Sequence, residues 1–98
     1  MGNYGKSISI LKTSFQQSVL SNDQKNKLNV YKMLSDIYYE LKNYDKAIFY
    51  IKKLLKLSWQ MQNEEFEIVG YDLLGKYYIM KGEIDMGYYF HSRAMGNI

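Results

Sequence analysis

A pattern of aromatic, aliphatic and small residues returns after forty residues, and this recurrence limits the possible folds more than any other feature. Tyr31 falls on Tyr71, Leu34 on Leu74, Tyr38 on Tyr78 and Asp45 on Asp85. Within the first copy, Tyr31, Leu34, Tyr38 and Leu41 share one helical face. Ala47, Ile48, Ile51, Leu54 and Leu55 share another, after a turn expected at Lys42-Asn43-Tyr44. A helical hairpin repeated at a fixed period buries its apolar stripe against neighbouring copies. The expected architecture is therefore a stacked array rather than an enclosed enzyme pocket.

The rest of the chain fits the same frame. Residues 4–20 carry Tyr4, Ile8, Leu11, Phe15 and Val19 as a regular stripe. Shifted by forty, Tyr4 falls on Tyr44, Ile8 on Ile48, Leu11 on Ile51 and Phe15 on Leu55, so this segment reads as the second helix of a hairpin without its first. Further helices are expected from about Asp23 to Leu41, from Asn43 to about 59–62, from Asn63 to Lys81, and from about Glu83 to Met95. Ser21 or Asn22, Asn43 and Asn63 are the expected N-caps, with Asp45 and the trio Glu64, Glu65 and Glu67 complementing the helix dipoles. Gly82 is the expected left-handed stop. The reading is one all-α domain over 1–98, five helices divided into a half repeat at 4–20 and full repeats at 23–62 and 63–98.

Composition narrows the function. There is no Pro, as a nearly continuous helical chain requires, and no Cys, hence no disulfide frame, thiolate metal site or cysteine nucleophile. The net charge of +3 comes from 13 basic residues of which Arg93 alone is Arg, which argues against recognition of nucleic acid. No stretch approaches the ~20 apolar residues that span a bilayer, and no signal peptide is visible. We expect a cytoplasmic protein, and the abundant Lys, Asn, Ile and Tyr, the bias of AT-rich coding sequence, suggests a cytoskeletal or ciliary assembly as its setting.

The residues resemble those of a tetratricopeptide repeat array. The first copy offers Tyr31, Leu34-Ser35, Tyr38, Asn43-Tyr44, Ala47, Ile51 and Leu54; the second offers Tyr71, Leu74-Gly75, Tyr78, Gly82, Gly87, His91 and Ala94. Ser35, Gly75, Ala47 and Gly87 are the small residues expected where paired helices cross closely. The period is forty rather than the usual 34, and Trp59 stands where the family often has Pro. The resemblance implies a right-handed solenoid of B-A-B-A-B helix order, without enzymatic activity or cofactor, that binds other proteins.

Two sets of binding residues follow. The inner face of such a superhelix implies Lys32, Asp36, Tyr39 and Glu40, with Asp72, Lys76, Ile79 and Met80 in the next repeat, as a peptide-binding surface. The ends supply the other set, because neither carries a polar cap. Ile8, Leu11 and Phe15 at one end and Tyr88, Tyr89 and Met95 at the other are expected to lie uncovered and to associate end-on. The chain is accordingly expected to be a fragment of a longer array or a subunit of a larger assembly. His91 is read as a packing or interface residue, because no Cys, second His or carboxylate cluster accompanies it. Lys46, Lys52, Lys53 and Lys56 read as a solvated strip. The main expectation is a protein–protein scaffold without small-molecule substrate or membrane; the alternatives are an adaptor capturing a short peptide and an RNA-binding helical repeat.

Overall fold

The computed structural model describes residues 4–21 and 23–94. Its helices are α1 (Tyr4–Ser21), α2 (Gln24–Glu40), α3 (Tyr44–Gln60), α4 (Glu64–Lys81) and α5 (Ile84–Ala94), and the described residues contain no strand. From α2 to α5 the helices begin at Gln24, Tyr44, Glu64 and Ile84, twenty residues apart.

One local device sets that spacing. Lys42, Gln62 and Gly82 have positive φ values of 60°, 56° and 102°. Their amides donate to the carbonyls of Tyr39, Trp59 and Ile79 at 2.9, 3.1 and 3.0 Å. The amides that follow, of Asn43, Asn63 and Glu83, reach back to Tyr38, Ser58 and Tyr78 at 2.9, 2.8 and 2.8 Å. This paired closure satisfies carbonyls of the last turn that have no helical partner. Asn43 and Asn63 then cap the next helix, their side chains accepting from the amides of Lys46 and Phe66, each at 3.2 Å. Closure and cap together occupy three residues. The connection after α2 is therefore Leu41–Asn43, and Tyr44, expected in the turn, is already the first residue of α3.

At the first junction the cap is Asp23, whose carboxylate accepts from the Asn26 amide at 3.1 Å. This corrects the expectation of Ser21 or Asn22: Ser21 is the last residue of α1, and Asn22 lies outside the described residues.

Consecutive helices pack on each other in a slab of 37 × 34 × 16 Å, whose thin dimension holds two helix layers. The core is Leu28, Val30, Leu34 and Tyr38 of α2, Ala47, Ile48, Ile51 and Leu54 of α3, and Leu74, Tyr77 and Tyr78 of α4. The small residues mark the close crossings. A Cβ on Gly75 would lie 2.7 Å from the Gly87 carbonyl oxygen and 2.9 Å from the His91 nitrogen. Ser35 and Ala47, forty residues earlier, are completely buried.

The ends differ from expectation in part. Ile8, Leu11 and Phe15 are half-buried and packed against the core rather than uncovered, because α2 lies along their stripe. The apolar groups that α1 leaves in solvent are Ile10, Val19 and Leu20. At the other end Tyr88 and Tyr89 are open as expected, while Phe90 stacks on Tyr78 and Tyr71. Met95 lies outside the described residues.

The Gly75 crossing gives a test. Alanine is favoured over glycine by about 1 kcal/mol in a helix, but here its methyl would meet backbone atoms that cannot move alone. Gly75→Ala is expected to lower stability by about 1–3 kcal/mol, read as a reduced denaturant midpoint. An unchanged midpoint would show that the crossing tolerates a side chain.

Candidate functional site

Four residues of the expected inner face gather around Tyr77, a side chain that the sequence pattern does not single out. Tyr77 is 1% exposed, and its hydroxyl donates towards Ser35 Oγ at 3.2 Å and Asp36 Oδ1 at 3.4 Å. Ser35 donates in turn to the Lys32 carbonyl at 2.7 Å, and Lys32 Nζ pairs with Asp36 Oδ2 at 3.2 Å. The Tyr39 ring lies 5.2 Å from that of Tyr77, and Lys76 Nζ sits 4.6 Å above the Tyr39 ring. Tyr77 thus joins α4 to α2, bringing together Lys32, Asp36, Tyr39 and Lys76. Glu40 is exposed. The signal for Tyr77 was its place forty residues after Ile37, which an apolar stripe anchored on Tyr71, Leu74 and Tyr78 passes over.

Burial pushes the Tyr77 phenol up from 10.0 to about 12, partly offset by its hydrogen bond to Ser35. Lys81 bonds Asp45 at 2.7 Å, tying the last turn of α4 to the first turn of α3 and raising the Lys81 pKa.

The second-repeat residues form a different unit. Asp72, Lys76, Ile79 and Met80 line a groove between α4 and α5 together with Tyr88 and His91. His91 Nδ1 lies 3.1 Å from Asp72 Oδ1. Half of the inner-face set therefore shares its groove with Tyr88, which belongs to the end-on set. Tyr89, the next residue of α5, is also exposed. The acidic trio Glu64, Glu65 and Glu67 occupies the first turn of α4 behind the Asn63 cap. No group of three His, Cys, Asp or Glu among the described residues could hold a metal ion, and no described helix is long and apolar enough to cross a membrane.

What these surfaces offer is contact: apolar grooves edged by single charges, on an all-α stack of helical hairpins. That combination defines a helical repeat. The tetratricopeptide repeat family model matches residues 29–58, which span most of α2 and α3 and mark that hairpin as a tetratricopeptide repeat. Repeats of this kind generally mediate protein–protein interaction and are typically non-catalytic. No curated protein and no solved structure matches the chain.

The raised Tyr77 pKa fixes the sign of a pH effect. The native state holds this proton more tightly than the unfolded chain, so the stabilisation is complete below pH 10 and is lost as pH climbs from 10.0 towards about 12. Tyr77→Phe is expected to cost about 1 kcal/mol at neutral pH and to make the fall in denaturant midpoint above pH 10 shallower than in the parent. Equal falls would place the titration on other tyrosines.

Proposed function

We propose that the chain is a non-catalytic scaffold or structural component, an array of forty-residue repeats that joins its neighbours end-on. One comparison carries this reading. Ile48 and Ile51 of α3 are 6% and 0% exposed beneath the following helix, whereas Tyr88, the counterpart of Ile48, is 62% exposed, and His91, the counterpart of Ile51, is also open. The groove at α4 and α5 has the shape of an internal interface without its covering helix. Its charges are also reversed: Lys32 and Asp36 in the first repeat become Asp72 and Lys76 in the second. A helix suited to the first position would therefore meet the opposite charges at the second, which favours a distinct partner. Ile10, Val19 and Leu20 are further apolar residues that α1 leaves in solvent.

The same groove is where capture of a short peptide would act. Tyr39 is already engaged by Lys76 and Tyr77, leaving Ile79 and the 48%-exposed Met80 as apolar anchors.

Sedimentation velocity tests the end-on reading. The chain is expected to associate at tens of micromolar, and Tyr88→Glu with Tyr89→Glu should shift it to monomer with unchanged helical circular dichroism. A parent that stays monomeric at such concentrations, with slow amide exchange in α1, would overturn the proposal.

A further inference from the structure

The charge of this protein is unevenly placed. Helices α1, α3 and α5 carry seven Lys and Arg against two Asp, while α2 and α4 carry five against six Asp and Glu. Lys12, Lys52, Lys53 and Lys56 make no ion pair among the described residues, whereas Lys32 and Lys81 do. One of the two Asp on the basic side, Asp45, is already held by Lys81. Lys12, Lys52, Lys53 and Lys56 therefore stand without a carboxylate on the side of α2 where α1 and α3 lie.

That side also contains a groove. It runs between α1 and α3 over α2, with Phe15, Tyr31, Phe49 and Tyr50 as its apolar lining and Lys12 and Lys53 on opposite rims. Its volume of about 370 Å³ is at the small end for a ligand site, suited to one or two inserted side chains. The ring arrangement behind it is not accidental to one hairpin. Tyr31–Tyr50, Tyr38–Tyr50 and Phe49–Tyr50 have centroid separations of 6.5, 5.5 and 5.1 Å. Forty residues on, Tyr71–Phe90, Tyr78–Phe90 and Tyr89–Phe90 have 6.2, 5.5 and 5.1 Å. The two copies differ at the rim. The Arg93 guanidinium lies over both Tyr71 and Tyr89, at 5.3 and 5.8 Å, and bridges the second copy; Lys53 lies over Phe49 alone, at 5.2 Å, and leaves the first open.

We propose that the groove between α1 and α3 docks an acidic polypeptide segment, which inserts an aromatic or branched aliphatic side chain among Phe15, Tyr31, Phe49 and Tyr50 and sets carboxylates against Lys12 and Lys53. This surface is separate from the end groove of α4 and α5, and the inference goes beyond the end-on reading. A polypeptide fits better than a nucleic acid. Base stacking needs a ring with a free face, whereas Tyr50 is stacked on Tyr38, Phe15 and Tyr31 lie 5.0 Å apart against each other, and a face of Phe49 carries Lys53. Lysine at both rims supplies point charges for carboxylates without the fork that reads phosphates and bases.

The probe is a fluorescein-labelled peptide in which a Phe-Leu pair is flanked by three Glu on each side, titrated with the whole chain and followed by anisotropy. Binding is expected, weaker at 200 mM than at 50 mM salt. Lys12→Glu with Lys53→Glu should reduce affinity about tenfold at unchanged helicity. A peptide with Ser-Ser in place of Phe-Leu should lose a similar factor. Tyr88→Glu with Tyr89→Glu should bind the probe as the parent does, so failure of the end-on reading and failure of this one are told apart. Absence of binding at millimolar protein, indifference to the Lys12/Lys53 change, equal affinity for the Ser-Ser peptide, or tighter binding of an oligouridylate at the same salt would each overturn the proposal.

Discussion

A helical hairpin of this kind has more apolar surface than its own two helices can cover, and the molecule is organised by that excess. Ile51 is completely buried because α4 follows it; His91, in the same place one hairpin later, is open because no described helix follows α5. Removing a side chain such as Ile51 from water is worth about 1.5–3 kcal/mol, and each internal junction buries several. Much of the stability of a hairpin therefore resides in its contacts with the next one, which is why the terminal grooves are so apolar.

Sharing surface in this way requires that successive hairpins be presented at the same angle and height. The closing turns provide this. Three times, at Lys42, Gln62 and Gly82, the chain reverses through a left-handed residue and restarts a helix two residues later. Glycine adopts that conformation without a Cβ clash, whereas Lys42 and Gln62 take it at a cost of roughly 1–2 kcal/mol each. Two backbone hydrogen bonds and an Asn cap at each of those two turns offset the strain. Tyr77 then fixes what the turns alone leave free, the position of α4 on α2, with a bond at each end of the same side chain: its ring against Tyr39 and its hydroxyl on Ser35 and Asp36.

Features with a local cause were legible in the sequence. Asn43, Asn63 and Gly82 each have a single structural use at a helix end, and the structure gives them that use. The left-handed Lys42 and Gln62 carry no such signal, since their conformation is imposed by bonds between residues on either side. The choice of Asp23 over Ser21 or Asn22 turns on where α1 ends, a difference of one or two residues between chemically equivalent caps. For α1 the stripe of Ile8, Leu11 and Phe15 was read correctly, but periodicity states that a face is apolar without stating which neighbour covers it. The surface residues show the same limit. Register placed Lys76 and Asp72 on one face, yet Lys76 turns to the Tyr39 ring of the previous repeat and Asp72 to His91 of the next helix. Those pairings join separate helices, and no spacing along the chain encodes them.

The lysines of α3 show how one kind of residue can meet two demands. An aromatic-rich layer left bare would draw copies of the chain together, and lysine opposes this: its stem covers ring surface while its charge stays in water. Lys46 over Tyr38, Lys52 over Tyr78 and Lys53 over Phe49 all take this form. A contact of that sort at an exposed site is worth only about 0.5–1 kcal/mol, little enough for a carboxylate to draw the ammonium off its ring. Arg93, in the place of Lys53 one repeat later, engages two rings at once. Near-identical ring arrangements in the two hairpins are thereby bounded differently by the residue at one position, lysine over a single ring in the first and arginine over two in the second.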